Sequence, residues 1–291
     1  MNIPDVKAFF DEDSHTISYV VQDPQTRHAA IIDSVLGFDY ASGNLSYQLA
    51  DQILAYIDDK QLVIDWLIET HVHADHLSAA PYLQEKTGAP IAISKYIVDV
   101  QKIFGKVFNA GTVFERDGSQ FDRLLEDQDS YQIGKLQGQA IHTPGHTPAC
   151  MAHIIGDAIF AGDTLFMPDG GTARADFPGG DARTLYRSIQ KILAQPDHMR
   201  VFVCHDYMPD GRALEYVSTV GEQKAHNIHI GGGISEQDFV AMREKRDATL
   251  PMPKLIMPSI QVNMRGGHMP PAEDNETVYL KVPVSGLRGD K

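Results

Sequence analysis

Three imidazoles and a carboxylate fall within six residues in Thr70-His71-Val72-His73-Ala74-Asp75-His76. Imidazole nitrogen and carboxylate oxygen suit a divalent transition ion such as zinc or iron. A polar loop that merely happens to be rich in histidine is the plainer reading, and the rest of the chain argues against it. Further on come His146 in His142-Thr143-Pro144-Gly145-His146, Asp163 in Gly162-Asp163-Thr164, and His205 after Val203-Cys204. Each lies beside a glycine, proline or small residue that lets the backbone turn sharply. Taken singly, each would more often be an ordinary surface residue; with the first cluster they make seven potential ligands.

The elements that must carry them are legible. Leu62 to Ile68 is an apolar run of strand length that delivers the histidine loop, and the helix after it runs from Leu77 to about Thr87. Before it, Val6–Phe10, Thr16–Val21 and His28–Ile32 read as a meander of short strands. Asn44 to Tyr56 is expected to be helical, Ile91–Ile93 a strand, and the glycine-rich stretch from Lys106 to Gln120 an irregular insertion. A second half echoes the first, with strands at Gln139–Ile141, Ala158–Ala161 and Arg200–Cys204 and an amphipathic helix from Asp181 to Leu193. The pattern points to an α/β fold of two sheets with helices outside. Residues 1–220 form the expected catalytic domain. Residues 221–291, with a capping signal at Ser235-Glu236-Gln237-Asp238, are an extension too short for its own core.

The 291 residues are ordinary in composition, 43% hydrophobic and 22% charged, and carry a net charge of −14. That charge argues against non-specific nucleic-acid binding, which needs a basic surface. No run approaches the ~20 apolar residues of a membrane span and no basic leader is evident; with only two cysteines a disulfide framework is not indicated, so a reducing cytoplasm is the expected compartment. Only Cys150 and Cys204 occur. A sulfur-carrying nucleophile is one reading of them, but their apolar strand contexts favour small buried hydrophobes.

In order and spacing, His-x-His-x-Asp-His, then His, Asp and His, the chain resembles the metallo-β-lactamase superfamily. The resemblance implies an αββα sandwich of two mixed sheets with helices on the outer faces. With two metals, His71, His73 and His146 would hold one ion and Asp75, His76 and His205 the other, with Asp163 bridging. The runs Gly171-Thr172-Ala173-Arg174-Ala175-Asp176-Phe177, His205-Asp206-Tyr207 and Asn263-Met264-Arg265 look like those of the persulfide dioxygenase branch, which is related to glyoxalase II. That implies one Fe(II) on His71, His146 and Asp163, a facial triad with open positions for O₂ and a substrate sulfur. His73, Asp75, His76 and His205 would then orient ligands and water.

Implied further are oxidation of glutathione persulfide, or a similar low-molecular-weight persulfide, to sulfite and thiol. Tyr207, His205 and Asp75 would be catalytic, Arg174, Tyr207, His229 and Arg265 would contact substrate, and the chain would form a homodimer or higher homo-oligomer. Arg174 is equally readable as a salt-bridge partner of Asp176 or Asp206. The chain departs from the branch in two extra residues around Met167-Pro168-Asp169-Gly170, and in His229 where relatives carry an arginine. The alternative is a glyoxalase II-like thioester hydrolase with two Zn, or mixed Zn/Fe, ions.

Overall fold

The computed structural model describes residues 3–284. In chain order, strands β1 (Asp5–Phe10), β2 (Ile17–Gln22) and β3 (His28–Ile32) precede a small hairpin of β4 (Val35–Asp39) and β5 (Asn44–Ser46). Helix α1 (Gln48–Lys60), β6 (Val63–Ile68), β7 (Leu77–Ser78), α2 (Ala80–Thr87), β8 (Ile91–Ser94), α3 (Ile97–Val107) and β9 (Arg123–Leu125) complete the first half. The second half contains β10 (Ser130–Ile133), β11 (Leu136–His142), β12 (Met151–Ile155), β13 (Ala158–Phe160), α4 (Ala182–Leu193), β14 (Arg200–Phe202) and β15 (Val217–Thr219). Helices α5 (Val220–His226), α6 (Glu236–Asp247) and α7 (Ile256–Asn263) follow. One six-stranded sheet has the order β1-β2-β3-β6-β8-β9 and the other β10-β11-β12-β13-β14-β15, both with parallel and antiparallel neighbours.

Strand alternation explains why the sheets stack. In β2, Ile17, Tyr19 and Val21 face Ile133, Met151, Phe160 and Phe202 of the opposite sheet, forming the layer between the sheets. Val20 points the other way, into a layer shared with Ile53 and Ile57 of α1, Leu83 of α2 and Val100 of α3. On the far face, Ile159 and Val201 meet Leu185, Ile189 and Ile192 of α4. The result is helices, sheet, sheet, helices. The segment after Val220 belongs to these same layers: Phe239 of α6 joins the α4 layer, and Ile256 and Ile260 of α7 join the α1–α3 layer.

The structure corrects three local expectations. Asn44–Ser46 is a strand paired with β4, because Asp39 Oδ1 accepts from the Ala41 and Ser42 amides and Gly43 takes φ 73°, closing a tight turn. The helix therefore starts at Gln48, and it runs on to Lys60 because Ile53 and Ile57 both reach the core. Leu77–Ser78 pair with β4 as well, so α2 begins at Ala80. Helix α3 is unanticipated; the irregular stretch begins only after it. At α6, the Ser235 hydroxyl accepts from the Asp238 amide as the capping signal implies.

Candidate metal centre

The carboxyl ends of β3, β6, β11, β13 and β14 converge at one edge where the two sheets meet. After β6 the chain leaves the sheet at Ile68 and turns through His71–His76. His146 follows β11, Asp163 sits in a short helical turn after β13, and His205 follows β14. Ligand atoms of His71, His146 and Asp163, all three residues buried, lie within 4.8 Å of one another. Those of His73, Asp75 and His76, and of Asp163, Cys204 and His205, form adjoining groups. Asp163 Oδ2 is 3.6 Å from His146 Nε2 and 3.9 Å from His71 Nε2. Its other oxygen is 3.3 Å from His205 Nε2, which in turn is 3.6 Å from Asp75 Oδ2. All seven predicted ligands thus come together.

The ring nitrogens turned away from the centre are spoken for. His146 Nδ1 donates to the Arg174 carbonyl at 2.7 Å, leaving the Nε2 lone pair to face Asp163. The Asp33 carboxylate accepts from the Thr70 amide and hydroxyl, each at 2.8 Å. With its hydrogen given to Asp33, the Thr70 hydroxyl accepts from His71 Nδ1 at 3.0 Å. Asp33 Oδ1 also lies 2.9 Å from His73 Nε2, with Glu69 Oε2 at 3.4 Å. One buried carboxylate therefore orients two histidines.

By contrast, His71 Nε2, His73 Nδ1, His76 Nε2 and Asp163 Oδ1 are buried with no hydrogen-bond partner. Buried polar atoms are rarely left so, and four on one set of loops fit a site that is completed by metal.

Electrostatics agree at His71 and His76. Burial, then the neighbouring imidazoles, drive His71 well below its usual pKa, and burial with His73 draws His76 down to about 4. Both are neutral at physiological pH, as a ligand must be. Burial works against the charge on His73 too, but Asp33 and Glu69 outweigh it and raise His73 well above the usual value. Burial opposes ionisation of Asp75, yet His205, His76 and His73 bring it to about 2.

Of the expected substrate contacts, Tyr207 stands at the site, half-exposed, its ring stacked on His205 with centroids 5.8 Å apart. Desolvation, then Asp163 and Asp75, raise its hydroxyl pKa, so it remains a donor. The other three are engaged elsewhere. Arg174 takes the salt-bridge role: it grips Asp176 at 2.6 and 2.8 Å and donates to the Pro251 carbonyl at 2.6 Å. Any carboxylate ligand would have to displace those partners. His229 is buried and neutral, its pKa drawn to about 4 by burial and by Arg243 and Arg246, and its Nδ1 accepts from the Thr172 amide at 2.9 Å. Gly171 makes that possible: it takes φ 80°, and a Cβ there would meet His229 at 2.1 Å. Arg265 is buried against the Phe114 ring at 4.3 Å and donates to the Gln261 carbonyl.

Sequence reasoning missed Asp33, Glu69 and Arg212. Arg212 bonds Asp206 through two contacts of 2.7 Å and Asp169 at 2.6 and 2.9 Å. It thereby ties the Met167–Gly170 turn to the loop bearing Tyr207. Cys204 is buried, its thiol 3.6 Å from Asp33 and its pKa raised well above normal, first by burial. Cys150 is likewise buried and pushed up to about 12. Both behave as buried thiols.

Comparison with known proteins agrees with this fold. A probable metallo-hydrolase of Burkholderia pseudomallei is 53% identical, over 97% of this chain and 99% of that one. A glyoxylase B2 of Dictyostelium discoideum is 46% identical, over 97% and 98%. The mitochondrial persulfide dioxygenase ETHE1 of Bos taurus is 29% identical, over 91% and 90%. The crystal structure of ETHE1 from Myxococcus xanthus superposes with a TM-score of 0.72 at 30% identity, covering 91% of this chain and all of that one. No helix among the described residues is long and apolar enough to cross a membrane. Residues 13–205 match the model of the Metallo-beta-lactamase superfamily, and the sandwich, the ligand order and the metal-ready site together place the chain in that superfamily.

Proposed function

We propose that the chain is an Fe(II)-dependent persulfide dioxygenase acting on glutathione persulfide or a similar low-molecular-weight persulfide. The observation that carries this reading is the buried group of His71, His146 and Asp163, two imidazoles and one carboxylate, in a chain similar over nearly its whole length to persulfide dioxygenases. Fe(II) bound there would supply free coordination positions and the redox chemistry by which persulfide, O₂ and water become thiol, sulfite and two protons.

The protein's own part is to hold and to shield. Arg174 and Thr70 fix the two imidazoles through their outer nitrogens. Phe177 packs edge-on to His146 with ring centroids 5.3 Å apart, and Phe166 packs similarly on His205 at 5.9 Å, covering the ligands with apolar surface. An apolar cavity of about 20 Å³ lies against His146, walled by Val72, Phe104, Phe177 and Ile260, and adds to that dry lining. The Tyr207 hydroxyl, protonated and half-exposed, would donate to the sulfur of an incoming persulfide.

A second reading, a two-metal thioester hydrolase, draws on a specific observation. His205 sits between Asp163 and Asp75, and the His76 Nε2 beside them is unpartnered, as a second ion would require. The names of the Burkholderia and Dictyostelium relatives are consistent with it. Metal analysis with an oxygen electrode separates the two. The dioxygenase reading expects one iron per chain, oxygen uptake only with persulfide, and an Asp75→Ala variant that keeps its iron. Two zinc ions, thioester cleavage without oxygen uptake, and loss of one metal equivalent in Asp75→Ala would overturn it.

A further inference from the structure

We infer that Asn263, the last residue of α7, is a positioning residue that holds the metal-bearing loop in shape from the C-terminal segment. Its side chain is buried and every polar group on it is used. Nδ2 donates to the carbonyl of His73 at 2.9 Å and to that of His76 at 2.8 Å, while Oδ1 accepts from the Ser78 amide at 2.8 Å. The loop from His73 to Ser78 forms no helix and only the two-residue β7, so its inward carbonyls have no regular ladder to satisfy them. One amide supplies two donors and one acceptor in a plane, and closes three groups at once.

The same contact reaches the histidine ring. Ser78, held through its amide by Asn263, donates its hydroxyl to Glu69 Oε1 at 2.7 Å, and Glu69 Oε2 faces His73 Nε2. Asn263 thus fixes both the backbone that carries His73 and His76 and the carboxylate that orients His73. Asparagine alone suits the position. Aspartate has no donor, alanine has no polar group, and glutamine is a methylene too long for a space already filled. In chain terms, α7 is docked by Ile256 and Ile260 on the first sheet's helical layer, and its end is the point where that docking is handed to the metal loop.

This inference rests on the metal site and not on the substrate, so it survives if the dioxygenase reading fails. The test uses the full chain, stripped of metal and titrated with Fe(II) or Zn(II) against a chromogenic chelator. Asn263→Ala and Asn263→Asp should weaken metal binding by about 10- to 100-fold, the range for residues that support ligands. The matched control is Gln261→Ala on the same helix. Its buried amide also makes three hydrogen bonds, but to Met257 and Lys281, away from the loop. Gln261→Ala should lower the unfolding midpoint of the metal-free protein comparably and leave metal affinity within about threefold of the parent. If Asn263→Ala proves too unstable to purify, Asn263→Asp, which keeps the bond to Ser78, carries the test. Unchanged affinity in the Asn263 variants, or an equal loss in Gln261→Ala, overturns the inference.

Discussion

Replacing Asp33 by asparagine is the most searching test of how the site is held. The carboxylate accepts three hydrogen bonds of 2.8 to 2.9 Å from Thr70 and His73 in a fully buried setting. An amide of the same shape keeps one oxygen, loses the charge, and turns an NH₂ toward donors. Hydrogen bonds to a charged group contribute ~1.5–3 kcal/mol each, and removing one partner of a buried pair costs ~3–5 kcal/mol. The metal-free Asp33→Asn variant should therefore be less stable by about 3 kcal/mol, read by urea unfolding. Metal affinity should also fall, by about 10- to 100-fold, because His71 through Thr70 and His73 directly lose their orientation.

The pH dependence has a definite sign. Burial opposes the Asp33 charge, but His73 and Thr70 hold its pKa below normal, so its contribution is present above the unfolded value and fades as pH falls through the folded one. His73 is raised, so its contribution is full below ~6.5 and fades as pH climbs through its folded value. Asp33→Asn should flatten both flanks of the metal-free stability profile. A variant with parental metal affinity, whatever its stability, would refute the claim that Asp33 sets the ligand geometry.

Two further tests concern residues that hold no metal. His153 is buried with Nδ1 3.0 Å from the Tyr131 hydroxyl, and burial draws its pKa to about 4. The unfolded chain binds its proton at ~6.5, so metal-free stability should fall on acidification between about 6.5 and 4. The His153→Gln variant should lose up to ~1.4 kcal/mol per pH unit of that slope in calorimetry; an unchanged slope contradicts it. At Gly171, alanine meets both the left-handed φ and the His229 ring, so Gly171→Ala should cost about 2–4 kcal/mol in urea unfolding. Pairing it with His229→Ala should recover the steric part only.

The ligands were legible because they travel in short motifs: four sit within six residues, and His146, Asp163 and His205 each follow a strand with a turn residue beside it. Their supports were not. Asp33 reaches Thr70 only because β3 and β6 pair in parallel with Ile32 opposite Ile68, a contact between residues far apart in sequence. Glu69 and Asn263 come together through Ser78 in the same way. Arg174 was balanced between two roles, since an arginine two residues from an aspartate reads alike whether it binds a ligand or its neighbour. The bonds to Asp176 and Pro251 show which partners it holds. The β4–β5 hairpin escaped because Asn44–Ser46 abuts a helix of good propensity, and only its pairing partner makes it a strand.

Because the ligand-bearing loops leave both sheets, an ion at their meeting point would act as a removable cross-link between the two halves of the chain. Chelation should then do to this sandwich what reduction does to a disulfide-bonded one: leave the apolar layer between the sheets packed, and lower the temperature at which the two halves part.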